Sequence, residues 1–226
     1  MVKKTRVTQR REASLSRDQI IDASIALLDA GGESGLTFRA LAERLATGPG
    51  AIYWHIDNKS DLLTASCDAI IARVTHVTPG NAAPEETIRC VALAVFDAID
   101  AHPWVGSALT HAAGKLPMVR ILERIGQPLH ALGVPDARHW TTVSALLNYV
   151  LGVAGQNAAN MQLAREQRLE RASFLHEVST VWAHLDPDAF PFTRSVARQL
   201  PGHDDRDDFL AGIDFMLRGI QSASGR

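Results

Sequence analysis

Apolar positions recur at three- and four-residue spacing along most of the chain, the period of helices that bury one stripe, and no convincing alternating strand pattern interrupts them. Ser16, with Gln19 three residues on, forms a capping box that opens a helix. Its stripe is Ile20, Ala23, Leu27 and Leu28, and Gly31-Gly32 ends it. Thr37 is an N-cap flanked by Leu36 and Leu41 as a hydrophobic staple, so the next helix turns Leu41, Ala42 and Leu45 inward. Ala46 to Gly48 makes a corner. A second short helix starts at Pro49, carries Ile52 inward and leaves Tyr53, Trp54 and His55 near its end. Asn58, with Asp61 three residues on, caps a helix of about five turns reaching Val77.

The remainder repeats the pattern on a larger scale. Thr78 to Ala83 reads as a loop, and Pro84-Glu85-Glu86 opens a helix with the stripe Ile88, Val91, Ala92, Val95, Phe96 and Ile99, stopped by His102-Pro103. A short helix over 104–113, a break at 114–117 and a helix over 118–132 follow. Gly133-Val134-Pro135 then leads to Asp136 as cap of a long helix over 137–162. Helical faces recur at Phe174 to Leu185 and Phe209 to Ile220, separated by a proline-rich loop with one helical turn. The pattern predicts an all-α protein. An arm covers 1–15, a three-helix head 16–60 and a larger helical body 61–226, with the helix over 58–77 linking head and body.

Two short helices joined by a tight turn and braced by a third form a helix-turn-helix, whose second helix enters the DNA major groove. The run Leu36 to Lys59 resembles the N-terminal domain of the tetracycline-repressor (TetR) family of bacterial transcriptional regulators. The resemblance extends from Ser16 to Leu63 and rests on Gly35-Leu36-Thr37, the Leu41/Leu45 spacing and Ile52-Tyr53-Trp54-His55-Ile56-Asp57-Asn58-Lys59. It implies a double-stranded DNA operator as partner. It also implies a homodimer formed by the last two long helices as a four-helix bundle, carried here by 174–185 and 209–220, and a larger domain that binds a small molecule.

The tip of the second helix, Gly48-Pro49-Gly50-Ala51, offers almost no hydrogen-bonding side chains for bidentate base readout. Arg39 is therefore the candidate for a guanine contact, which the resemblance supports; a solvated or phosphate-paired arginine is the competing reading. Pro49 and Ala51 suit apolar contact with a thymine methyl, and DNA shape adds to the readout. Thr37, Tyr53, His55 and Lys59 match family positions that hold phosphates, and each carries a group able to donate to phosphate oxygen. His55 also fits a helix-end histidine bonded to a carbonyl, and Trp54, a further candidate DNA contact, has packing against the adjacent helix as its alternative.

Charge sharpens the picture. The net charge is −2, yet Lys3, Lys4, Arg6, Arg10, Arg11 and Arg17 crowd the start with Glu12 as the only acid. Such an arm tracks phosphates or enters a minor groove, though the same composition suits a solubilising tail. No apolar run is long enough to span a bilayer, and no apolar segment follows the basic start as in a signal peptide, so the expectation is a cytoplasmic protein without a membrane partner. Cys67 and Cys90 fall in helical patterns and read as buried free thiols. There is no nucleophile elbow, paired-carboxylate motif or phosphate loop, which argues against an enzyme. The histidines do not cluster at metal-ligand spacing, which predicts no structural metal and no cofactor.

Trp104, His111, Met118, Trp140, Asn148, Tyr149, Gln156, Asn157 and Asn160 are polar or aromatic positions inside patterns that read as buried. They are the candidates to line a cavity for a small hydrophobic or aromatic effector, each with a core or interface role as its alternative. Leu132-Gly133 and Tyr149-Val150-Leu151-Gly152 resemble the tetracycline-repressor body more loosely. Gly155-Gln156-Asn157 lacks an acid, and only His111 aligns as a histidine, which argues against a magnesium–tetracycline ligand. The functional reading is a ligand-responsive repressor that acts as a homodimer on a pseudo-palindrome. An activator and a ligand-sequestering scaffold with a weakened head are the alternatives.

Overall fold

The computed structural model describes residues 15–76, 82–166 and 168–223. The basic arm and most of the Thr78 to Ala83 loop lie outside the described residues. Among the described residues there are eleven α-helices, one short 3₁₀ helix and no strand. The chain divides into two compact units, one running through Ser66 and one from Cys67 onward.

The first unit is built by local capping and a small core. In α1 (Arg17–Gly35) the Ser16 hydroxyl accepts from the Gln19 amide at 3.2 Å, and the Gln19 side chain accepts from the Ser16 amide at 2.9 Å. The regular helix breaks at Gly32, whose φ of +59° is the left-handed conformation that glycine adopts without strain. Helix α2 (Phe38–Arg44) starts where the Thr37 hydroxyl accepts from the Ala40 amide at 3.1 Å. Ala46, at φ +50°, makes the corner before α3 (Pro49–Tyr53), a five-residue helix with proline in its first turn. Helix α4 (Lys59–Thr75) is capped by Asn58, whose side chain accepts from the Asp61 amide at 3.0 Å and donates to its carboxylate at 2.8 Å. Ile20, Leu28, Leu36, Leu41, Ile52 and Leu62 are all fully buried. One buried residue on a five-residue helix is too little to hold it alone, so α3 depends on α1 and α2 for its existence.

The second unit is centred on α5 (Pro84–Ala101), which buries Ile88, Val91, Ala92, Val95, Phe96, Ala98 and Ile99. It packs against α7 (Leu116–Ala131) and the 31-residue α8 (Asp136–Glu166), with α6 (Trp104–Thr110) closing one side. The turn before α8 relies on Gly133 at φ +71°. After α8 come α9 (Arg171–Ala183), α10 (Pro191–Val196) and the 3₁₀ turn Ala197–Gly202. Then α11 (Asp205–Ala223) returns to the core: Phe209 stacks on Phe96 and Tyr149 at ring-centroid distances of 4.6 and 5.6 Å.

The two faces expected to pair with a second copy differ. Helix α9 buries none of its residues. It is held to the 3₁₀ turn by the Ser179 hydroxyl, which donates to the Ala197 carbonyl at 2.8 Å, and at its start by Arg171, which pairs with Asp205. Helix α11 buries Phe209, Ile213 and Leu217 against its own chain, so that part of the 209–220 stripe closes the core. Its opposite side, with Ala211, Phe215, Gly219 and Ser222, is exposed. Helix α8 likewise exposes Thr141, Ala145, Asn148, Gly152 and Gln156, spaced three and four apart.

Candidate nucleic-acid interface

The first unit presents most of its expected contact groups to solvent: Thr37, Arg39, Pro49, Gly50, Tyr53, Trp54, His55 and Lys59 are exposed, and Ala51 is half-buried. Three of them are placed by a neighbour. Tyr53 stacks its ring on Phe38 at 4.5 Å with planes 9° apart, which fixes the direction of its hydroxyl. Thr37 uses an oxygen lone pair to cap α2 and keeps its O–H for another acceptor. Lys59 donates to the Glu33 carbonyl at 2.5 Å, tying the start of α4 to the end of α1 just past its break at Gly32. An ammonium has three donors, so this bond leaves two. Arg39 and the His55 ring have no partner among the described residues.

Trp54 does not take up its alternative role of packing on the adjacent helix. It is 88% exposed at the C-cap of a helix only five residues long. Phe38 is the residue that sequence reasoning passed over. Its position directly after the N-cap Thr37 sets it on the outer turn of α2, and the aromatic of α3 settles on it.

The nine effector candidates do not share one buried cavity. Trp104 and Met118 are buried. His111 is exposed as the C-cap of α6, with its Nδ1 3.0 Å from the Ser107 carbonyl. Trp140, Asn148, Gln156 and Asn160 are also exposed. The reason is geometric: α8 buries one stripe of Val143, Leu146, Leu147, Val150, Ala154 and Ala158, and these polar positions lie off it. Tyr149 donates its hydroxyl to the Phe209 carbonyl at 3.1 Å, and burial, with the Asp208 charge second, raises its pKa. Asn157 donates to Asp100 at 3.1 Å.

Two arrangements were not foreseen. Arg120 of α7 grips Asp68 of α4 in a bidentate pair, at 2.7 and 3.3 Å. His130, Asp136 and His139 are brought together with one ligand atom each within 4.8 Å of the others, contrary to the expectation that no histidines cluster. The cluster is invisible as a helical spacing because His130 belongs to α7 and the other two to α8.

The cysteines are free, as expected, but differ in burial: Cys67 is buried and Cys90 half-buried. Burial, reinforced by the neighbouring Asp68 charge, pushes the Cys67 thiol up to about 12.

Residues 20–65 match the family described as bacterial regulatory proteins, tetR family. A TetR regulator of Streptomyces coelicolor, SCO7222, is 50% identical, with a TM-score of 0.83, over 92% of this chain and 98% of that one. The chain belongs to the TetR family of DNA-binding transcriptional regulators. Its sequence is also 26% identical to the class D tetracycline repressor of Escherichia coli over 220 residues, 92% of this chain and 90% of the repressor. The structure of BioQ with its natural double-stranded DNA operator is 31% identical over 66% of this chain and 89% of that one, with a TM-score of 0.59. Among the described residues no helix is long and apolar enough to cross a membrane.

Proposed function

We propose that this TetR-family regulator is a homodimeric repressor that binds a pseudo-palindromic operator and is released by a small hydrophobic or aromatic effector. The observation that carries the DNA half is the exposed constellation around α3: the Arg39 guanidinium and the donors of Thr37, Tyr53, His55 and Lys59, with an apolar tip at Pro49, Gly50 and Ala51. Arg39 supplies base contact, the four donors clamp phosphates, and Trp54 covers sugar and phosphate beside them. A tip without polar side chains leaves most discrimination to Arg39, thymine methyls and DNA shape. Two heads on one symmetric site then double the readout.

For the effector half, a cleft of about 390 Å³ lies between α4 and α5, lined by Ile70, Val74, Ala94, Ala98 and Ala101 with Arg73, Asp97 and His102. That volume and mixture suit a small, largely apolar molecule. His102 meets Trp104 edge-on at 6.2 Å, so Trp104 backs the cleft from the α6 side. A ligand seated here bears directly on α4, and it changes DNA affinity by the difference in its affinity for the two states.

The test is operator binding at several salt concentrations, using the DNA upstream of the protein's own gene, with and without a panel of apolar small molecules. Specific binding lost on adding one of them is the expected result; weak binding indifferent to sequence would replace the repressor with a scaffold. Lys59→Ala is expected to weaken operator and random DNA alike and to lower the slope of log affinity against log salt by about 0.9. A loss confined to the operator would reassign Lys59 from the phosphate backbone.

A further inference from the structure

We propose that His130, Asp136 and His139 form a site for a divalent first-row transition-metal ion, spanning the turn that joins α7 to α8. The His130 Nδ1 stands 3.7 Å from the Asp136 Oδ1, and the His139 Nε2 stands 3.8 Å from the same oxygen. The two imidazoles meet edge to face at 4.3 Å. Ligands around one zinc-sized ion at about 2.0–2.1 Å are separated by roughly 3–3.4 Å, so the two histidine–aspartate distances must close by about half an ångström and the histidine–histidine distance, within 4.8 Å, by up to about 1.5 Å. The side chains that must move are free to do so: those of Asp136 and His130 are 88% and 70% exposed.

His139 is the fixed member. Its side chain is 24% exposed and its Nε2 lies 2.8 Å from the Val134 carbonyl, a hydrogen bond that metal binding replaces. Gly133, at φ +71°, turns the chain so that the last turn of α7 and the first of α8 face each other, which is what brings His130 back onto the Asp136/His139 pair. The ligand set is two imidazoles and one carboxylate with no thiolate. That set favours Zn²⁺, Ni²⁺, Co²⁺ or Cu²⁺ over Mg²⁺ or Ca²⁺, which seek all-oxygen shells. Three protein ligands leave coordination positions open, and they have somewhere to point. A pocket of about 430 Å³ beside the two histidines is also lined by Glu123, Gln127 and Trp140. Glu123, Gln127 and His130 follow one another at four- and three-residue spacing on α7, and the Gln127 amide donates to the Glu123 carboxylate at 2.7 Å, which leaves the second carboxylate oxygen to accept from a metal-bound water. The ion joins two helices whose only covalent link here is a four-residue turn, and it does so one residue before the exposed Trp140.

The test is a Zn²⁺ titration of the full chain, carrying no added histidines and stripped of metal, by calorimetry, with Co²⁺ absorption to report the ligand set. One ion per chain with a micromolar or tighter Kd is expected. His130→Gln, Asp136→Asn and His139→Gln are each expected to weaken it at least tenfold, and His184→Gln to leave it unchanged. Helix content by circular dichroism checks folding, and the two substitutions at exposed positions, His130→Gln and Asp136→Asn, carry the conclusion should His139→Gln unfold. No binding below about 100 µM, or binding that survives both exposed-site substitutions, overturns the proposal.

Discussion

Gly212 shows at the level of a single residue how α11 is seated. A Cβ built there would lie 1.8 Å from the Tyr149 hydroxyl oxygen and 2.4 Å from the ring carbon bearing it. The tyrosine cannot swing aside cheaply, since its ring stacks on Phe209 and its hydroxyl donates to the Phe209 carbonyl. In an open helix Gly→Ala stabilises by about 1 kcal/mol. Here Gly212→Ala is expected to destabilise by about 1–3 kcal/mol, the usual cost of overpacking, read as a lower midpoint in urea. Tyr149→Phe removes the nearest clashing atom but not the ring, so the double substitution should recover part of the loss and the two effects should not add. Cys67 makes a second case. With its thiol raised to about 12, almost no thiolate exists at pH 8, and iodoacetamide should label the more accessible Cys90 while Cys67 waits for unfolding. The raised value also contributes stability that is complete below the ordinary thiol value near 9. It is lost as pH climbs from there toward 12, where only the folded form still holds the proton.

At the level of elements, the pair between Arg120 and Asp68 fastens α4 to α7 within the body. It is about one-third exposed on the arginine side, so its worth to stability is about 1 kcal/mol or less. Its greater importance under the proposed function is directional: a ligand in the α4–α5 cleft moves α4 against whatever holds it. Arg120→Ala is expected to leave operator affinity within about threefold while shifting the effector concentration needed for release. An unchanged effector response would remove the pair from the switch. The helices themselves were largely legible in the sequence because their ends are set by local chemistry: Ser16 with Gln19, Thr37, and Asn58 with Asp61 all act within three residues. What a stripe is buried against was not legible. Phe174, Leu175, Val178 and Val181 have helical spacing whether their own chain covers them or nothing does, and α9 buries none of them. The same gap misplaced Asn148, Gln156 and Asn160, which share α8 with a buried stripe but sit on its other side. Contacts between distant residues, such as Arg120 with Asp68 or Phe38 with Tyr53, leave no periodic trace at all.

At the level of the whole molecule, the proposed repressor needs a partner surface, and the body offers one. The exposed stripes of α8 and α11 flank a shallow groove of about 290 Å³ whose lining includes Val134, Pro135, Thr141, Ala145, Gly219 and Ile220. Small residues at Ala145, Gly152, Ala211 and Gly219 let a second pair of helices approach closely, and Phe215, 68% exposed, supplies a large apolar group at the rim. For the proposed dimer we assign the pairing not to the expected 174–185 with 209–220 but to α8 with α11. Both are long, 31 and 19 residues, whereas the 13-residue α9 is tied mainly to the 3₁₀ turn and to Asp205. Ala145→Arg places a charge where the partner would desolvate it, and one such interface carries the substitution twice because a two-fold contact repeats every residue. The expected outcome is a monomer in sedimentation with unaltered helix content, and a loss of operator affinity of at least a hundredfold, since one head alone reads only half a site. Val181→Arg on α9 is the control, expected to keep the dimer. If Val181→Arg dissociates the protein and Ala145→Arg does not, the pairing runs through α9 after all, and the groove between α8 and α11 has another occupant.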